Sequence, residues 1–299
     1  MRGGRSPSID GNSRSHRVGA AGSTRYSLRV QNLRLEIAYD GGDYAGWQRQ
    51  AGAATVQEEI ERAVELICQT RTTVHGSGRT DSGVHAFAQT AHLRLDRGPA
   101  SERLHLALNS VLPEDIRVLS ATVMPPEFHA RFSARGKRYV YRISTARVLH
   151  PLLRRYVHSH GRAVDMAAMR AAAGQLLGTH DFLAFSSNPG VPRKRPTIRT
   201  LQALHLLPDR AGFAIWVQGD GFLYNMVRIL AGTLLEVGKG KLAPEQVGEI
   251  LSSRDRRRAG PTLPAHGLAL LRALYPREFQ VRPQPHGRRP SGLGSEKGA

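Results

Sequence analysis

The chain has 299 residues, 40% of them apolar, enough for one large or two medium domains with a sizeable core. No stretch approaches the roughly 18 apolar residues of a membrane helix and no apolar segment follows the first residues, so the sequence predicts neither a membrane span nor a signal peptide and points to the cytoplasm. The single cysteine, Cys68, excludes an intramolecular disulfide and a thiolate metal cluster, while a formal charge of +19 calls for a polyanionic partner bound in a salt-sensitive way.

Residues 1–29 hold six Arg against one Asp without an apolar period and read as a disordered basic arm. Residues 277–299 read as a second disordered tail. With both ends set aside the remaining chain is still basic. In "LRLEIAYD" the apolar residues Leu33, Leu35, Ile37 and Tyr39 recur with period two, a half-buried strand ended by Gly41-Gly42. Thr55 and Glu58 have the spacing of a capping box, and Val56, Ile60, Ala63, Val64 and Ile67 then share a helical face as far as about Gln69. A glycine-flanked stretch, "HGSGRTDSGVH" (75–85), leads into a strand through "FAQTAHLRL". A short helix from Ser101 is stopped by Pro113, and "IRVLSATV" and "KRYVYRIST" are two more strands. A long connection near His150-Pro151 separates an N-terminal half, 30–150, from a C-terminal half, 151–276. In the latter Asp165 caps a helix running to Gly178. Strands near 198–207 and 212–219 form a hairpin, and a helix over 222–237, "PEQVGEILSS" and a last strand "LALLRAL" follow. This mixed order with hairpins predicts an α+β fold, with a largely antiparallel sheet and flanking helices.

Asp81 stands among Gly76, Gly78 and Gly83. Asp and Gly together are a turn by local preference, or a place where a substrate comes close to the backbone and meets a carboxylate. Arg79, two positions away, is placed to hold that carboxylate ionised, the state suited to nucleophilic work. The spacing fits neither a phosphate-binding Walker loop nor a dinucleotide fingerprint. His75 and His85 have no metal-ligand spacing, and no metal is expected. Arg228 lies in the otherwise apolar "NMVRILAGTLLEVG", where it either snorkels to the surface or meets an anion, Asp81 being the candidate. Tyr139 and Tyr141 fall on one face of a strand beside Arg135, Lys137, Arg138 and Arg142: a base-stacking platform or part of the core.

These pieces resemble one family. "AYDGGDYAGWQRQ", "GSGRTDSGVHAFAQTAH", "ALNSVLPEDIRV", "FHARFSARGKRYVYRI", "DFLAFSS", "NMVRILAGTLLEVG" and "HGLALLRALYP" occur in the order found in tRNA pseudouridine synthase A, over residues 31–276. The resemblance implies two similar halves sharing one sheet in a pseudouridine-synthase fold. It also implies a homodimer that needs no cofactor or metal and isomerises uridines 38–40 of the tRNA anticodon stem-loop. In that family the aspartate of Gly-Arg-Thr-Asp is the nucleophile, which falls on Asp81. The tyrosine that packs on the target base falls on Tyr139, and the arginine that pairs with the aspartate falls on Arg228. Arg79 is expected to contact the RNA or help displace the base. Ala269 departs from the pattern, since many members carry a larger residue there, and a change of packing near the base pocket is the expected consequence.

Overall fold

The computed structural model describes residues 30–187 and 196–281; the basic arm 1–29 and most of the C-terminal tail lie outside the described residues. In chain order the principal elements are β1 (Gln31–Tyr39), α1 (Val56–Cys68), β2 (His75–Gly76), β3 (His85–Leu95), α2 (Ser101–Asn109), β4 (Ile116–Met124), β5 (Gly136–Ser144) and β6 (His158–Ser159). There follow α3 (Met166–Gly174), β7 (Gly178–Asp181), β8 (Ile198–Asp209), β9 (Gly212–Gly219), α4 (Met226–Gly238), α5 (Gln246–Ser253) and β10 (Leu268–Leu274). All ten strands join one sheet, ordered β4-β1-β3-β10-β5-β9-β8-β7, with β2 paired to β3 and β6 to β5. Pairing is antiparallel except for β10 on β3 and β6 on β5. The fold is therefore α+β with a mixed, mainly antiparallel sheet. The last strand inserts between β3 and β5, so β10 joins the strands of the N-terminal half in the middle of the sheet.

One face of the sheet carries the main core. Leu33, Leu35, Ile37 and Tyr39 of β1 point into it, as the period-two pattern requires, together with Tyr141 and Ile143 of β5 and the apolar faces of the helices. Residue 34 on the opposite face of β1 is buried too, although it is an arginine. A small cluster of Phe128, Tyr275 and neighbours covers it, its guanidinium lies 4.8 Å from the Tyr275 ring centroid, and Nη1 donates to the Phe279 carbonyl at 2.8 Å. The chain continues past 276 through a turn at Arg277–Phe279 that packs the Phe279 ring 5.3 Å from Phe128. Residues 277–281, predicted as the start of a tail, are thus packed on the sheet, and 282–299 lie outside the described residues.

Three local expectations change. The capping box on α1 does not close, and the Thr55 hydroxyl is buried without a partner. The first helical N–H groups are satisfied by backbone, Val56 to the Gly46 carbonyl at 3.2 Å and Gln57 to that of Trp47 at 3.0 Å, so no side-chain cap is needed. Asp165 caps α3 as expected, accepting from the Ala167 and Ala168 amides, but the helix ends at Gly174 and Gly178 instead opens β7 with φ +97°. α4 starts at Met226, not 222, because Asn225 takes a left-handed conformation (φ 59°) that turns the preceding residues toward β5.

Candidate active site

The glycine-flanked stretch is built by two segments packed backbone on backbone. Residues 41–47, the turn after β1, lie against residues 80–84. A Cβ on Gly41 would fall 2.0 Å from the Val84 carbonyl oxygen, and one on Gly46 (φ +97°) would fall 2.5 Å from that of Thr80. In place of side chains there are hydrogen bonds: Trp47 N–H donates to Thr80 O (3.1 Å) and Gly83 N–H to Tyr44 O (3.3 Å). Gly83 at φ +77° allows the tight return from Asp81, whose carbonyl accepts from Val84 N–H at 3.1 Å. The bulk missing from this stretch is therefore occupied first by the protein's own backbone.

Side chains fix the remaining degrees of freedom. Gln89, wholly buried on β3, accepts from the Ser77 hydroxyl at 2.7 Å and donates to the Gly78 carbonyl at 2.9 Å. The Tyr39 hydroxyl lies 2.8 Å from the Thr80 hydroxyl, both buried. His85, a buried strand-end residue, has Nδ1 3.0 Å from the Gly41 amide and Nε2 3.2 Å from the His266 carbonyl. Of these supports only His85, without a role, and Tyr39, as an inward strand residue, stood out in the sequence. Gln89 did leave a signal, as a lone amide at an inward position of "FAQTAHL".

Asp81 opens into a cleft of about 960 Å³ whose lining includes Arg79, Lys137, Tyr139, Phe222 and Asn225. The structure thus brings Asp81, Arg79 and Tyr139 to one cavity. Tyr139 is buried, its ring 5.2 Å from that of Phe222 at 82°. Burial pushes its phenol up, with Tyr39 and Asp81 adding to the shift, so the ring presents a neutral aromatic edge. Tyr141 points the same way from β5 but goes into the core, where its hydroxyl donates to the Pro264 carbonyl at 2.8 Å. The strand pleat also sends Arg138 and Arg142 to the other face, on Gln218 (2.6 Å) and Asp209 (2.6 and 3.0 Å). Of the residues in "KRYVYRI", Lys137 and Tyr139 line the cleft. Ala269 likewise packs with Val140 and Ala214 on the far face, and it is Leu268 that lines the cleft.

The electrostatics of Asp81 differ from the sequence expectation in sign, and of the two cations named there, Arg79 and Arg228, only Arg228 acts on the carboxyl. Burial raises its carboxyl above the ordinary range, and this outweighs the opposing pull of Arg228 and the smaller one of the Asn225 amide. Arg79 is exposed, its Nε donating to Gln48 Oε1 at 3.2 Å, and it does not figure among the groups acting on the carboxyl. The cation that acts on Asp81 is Arg228, from the first turn of α4. Arg228 donates through Nε to the Leu263 carbonyl and through Nη1 to Asn225 Oδ1 at 2.9 Å. Among the described residues Asp81 makes no direct ion pair; Arg228 faces it as a fixed neighbouring charge. The same elements thus hold an acid that resists ionisation and a cation that favours it.

Among the described residues no group of His, Cys, Asp or Glu is arranged to hold a metal ion, and no helix is long and apolar enough to cross a membrane. Residues 37–133 and 172–276 match the sequence model of a family described as tRNA pseudouridine synthase. The chain is 42% identical to the tRNA pseudouridine synthase A of Clostridium acetobutylicum over 246 residues, 82% of this chain and 100% of that one. It is 41% identical to that of Acetivibrio thermocellus with the same coverage. With that of Shouchella clausii it shares 42% over 258 residues, 86% of this chain and 98% of the relative. A match over both sides of the cleft, together with an aspartate and a tyrosine converging in it, places the chain in the tRNA pseudouridine synthase family.

Proposed function

We propose that the protein is an isomerase that converts uridines 38–40 of the tRNA anticodon stem-loop to pseudouridine, with Asp81 as nucleophile, and that it works as a homodimer in the cytoplasm. The observation that carries the reading is the placement of Asp81 in a cleft with Tyr139 and Lys137, backed by Arg228, in a chain of this family. The reaction breaks the N1–C1′ bond, turns the base and joins C5 to C1′; the proton on C5 leaves and N1 gains one, so there is no net redox change. A carboxylate suits this chemistry because it can add to an electrophilic carbon and leave again. Arg228 supports the anionic form of Asp81 against the burial that opposes it.

The target base must leave its stack, which costs roughly a few kcal/mol. In this reading Tyr139 offsets part of that cost by packing on the extruded uracil, with Phe222 holding its ring. Arg79, exposed at the cleft rim, contacts the RNA backbone or fills the space the base vacates. The basic character of the chain draws the polyanion in. The test is release of tritium from tRNA carrying 5-labelled uridine: the wild type releases it, and Asp81→Asn does not. Wild-type release by the variant would overturn the nucleophile assignment, and unchanged positions 38–40 in tRNA from cells lacking the protein would overturn the target sites. Light scattering at micromolar concentration tests the dimer.

A further inference from the structure

The turn after Phe128 builds a second aromatic feature at the edge of the same cleft. Phe132 is 75% exposed, the most exposed aromatic side chain among the described residues. Its ring lies 4.3 Å from that of His129 at an interplanar angle of 33°. His129 in turn lies 4.3 Å from His92, and His92 stacks on His75 at 5.1 Å. Three of these four rings, His75, His129 and Phe132, line the cleft that holds Asp81.

The backbone fixes the chemical state of this cluster of rings. His129 Nδ1 accepts from the amides of Arg131 (3.1 Å) and Phe132 (3.3 Å), and His92 Nδ1 accepts from that of Ala130 (3.2 Å). A nitrogen that accepts cannot carry a proton, so both imidazoles are held neutral with the proton on Nε2. Burial first, then the neighbouring imidazoles, pushes His92 down to about 4, and burial lowers His129 as well. His129 N–H also donates to the Ser133 hydroxyl at 3.0 Å and the Ser133 amide to the His129 carbonyl at 2.9 Å, closing the turn. The turn so braced carries the exposed Phe132 side chain. Arg131, exposed, hangs 5.9 Å from the centre of the Phe132 ring, at the outer limit of cation–π contact.

We propose that Phe132, packed at a tilt against His129, is a second nucleobase site, which takes by stacking the unpaired base next to the target nucleotide while Arg131 contacts its phosphate. The inference rests on the reading of the cleft as an RNA site. Pulling one base out of a strand leaves its neighbour with an uncovered face, and a neutral aromatic surface at the mouth of the cleft covers it. A phosphate alone would be better served by charged imidazoles than by imidazoles kept neutral. Stacking of this kind tolerates any base, since every base has a π face.

The experiment measures equilibrium binding of an anticodon stem-loop RNA, independently of turnover. Phe132→Ala is expected to weaken Kd about tenfold, and Phe132→Trp to restore it. An abasic nucleotide placed on one side of the target uridine is expected to weaken wild-type binding to the level of Phe132→Ala and to leave the variant unaffected. A Kd for Phe132→Ala within twofold of wild type would overturn the proposal. So would a loss of the same size on RNAs abasic at either flanking position. If tritium release fails while this pattern holds, the catalytic reading falls and the stacking site stands; the reverse result has the reverse meaning.

Discussion

Lys137 lies directly over Gly78: a Cβ on Gly78 would fall 2.1 Å from the lysine Nζ. The ammonium therefore occupies the space that a side chain in the Asp81 stretch would fill. Burial, with Arg131 adding to it, pushes the amine down to about 8. Below that pH it is a cation facing the cleft; above it the cation is lost. RNA affinity is expected to fall as pH rises from 7 to 9, and Lys137→Arg to flatten that fall. Stability moves the other way. The unfolded chain keeps this lysine protonated up to 10.5, so between about 8 and 10.5 the unfolded state binds more protons and the folded state gains as pH rises. Binding titrations and thermal melts across this range, with Lys137→Met as reference, check the opposite slopes.

Gly78→Ala tests the same contact from the other side. Gly78 has no positive φ, and the atom its Cβ would meet is the far end of a flexible chain. The lysine is expected to swing away at a stability cost of about 1 kcal/mol, the low end of overpacking changes. RNA affinity is expected to drop as in Lys137→Met. Equal melting temperatures with unequal Kd would support this; a large fall in melting temperature would show that the lysine cannot move.

Arg228 and Asp81 give a prediction about pH and rate. The Asp81 carboxyl is raised by burial and pulled down by Arg228; with Asp81 as the proposed nucleophile the reactive form is the anion, so activity is expected to climb as pH rises through the raised value. Removing the cation in Arg228→Gln takes away the opposing pull and moves the acid limb to higher pH. Arg228→Lys keeps a charge there and moves it less. The pH profile of tritium release checks this; a limb that stays in place in Arg228→Gln would remove Arg228 from the electrostatics of the site.

How far the sequence goes is visible in these residues. β1 was legible because Leu33, Leu35, Ile37 and Tyr39 alternate against one core. The convergence of Asp81 and Tyr139 was legible only through the resemblance, since nothing in local spacing joins residues on separate strands. The electrostatics of Asp81 were legible in part: Arg228, 147 positions away, was already the candidate partner because a cation in an apolar helix needs an anion, whereas the exposure of Arg79 and the dominance of burial depend on tertiary packing. The pleat of β5 also divided a basic run into cleft-facing and outward-facing halves, which a count of charges does not reveal. The unclosed capping box at Thr55 is the same lesson at short range: residues 46 and 47 supplied the partners that the motif normally supplies itself.

Tyr39 and Thr80 couple the core to the site. Their hydroxyls share a buried hydrogen bond at 2.8 Å, and Thr80 is the residue before Asp81. Tyr39→Phe leaves the Thr80 hydroxyl unpaired at a cost of about 1–3 kcal/mol. Thr80→Ala in that background is expected to cost less than it does alone, since the partner is already gone. Denaturant unfolding of the two single variants and the double variant measures the coupling. Additive losses would mean that the bond contributes nothing.

Gly46 and Gly52 form a matched pair for the claim that the turn after β1 seats Asp81. Both have positive φ, +97° and +75°, so an alanine at either carries the strain of that region, about 1–2 kcal/mol. They differ in what the new methyl group would meet. At Gly52 there is nothing within 4 Å; at Gly46 the Thr80 carbonyl oxygen stands at 2.5 Å and the Asp81 carbonyl carbon at 3.1 Å. Those atoms are backbone and cannot step aside as the Lys137 ammonium can, so the 80–82 segment itself has to move. The Gly46 carbonyl also accepts from the first amide of α1, which ties any shift to the helix. Gly52→Ala is expected to lose only the conformational cost and keep its tritium release. Gly46→Ala is expected to lose about 1–3 kcal/mol more, the cost of overpacking, and to release tritium at least tenfold more slowly under conditions where it remains folded. Equal behaviour of the two variants would mean that the close approach of these two segments does not position the carboxylate.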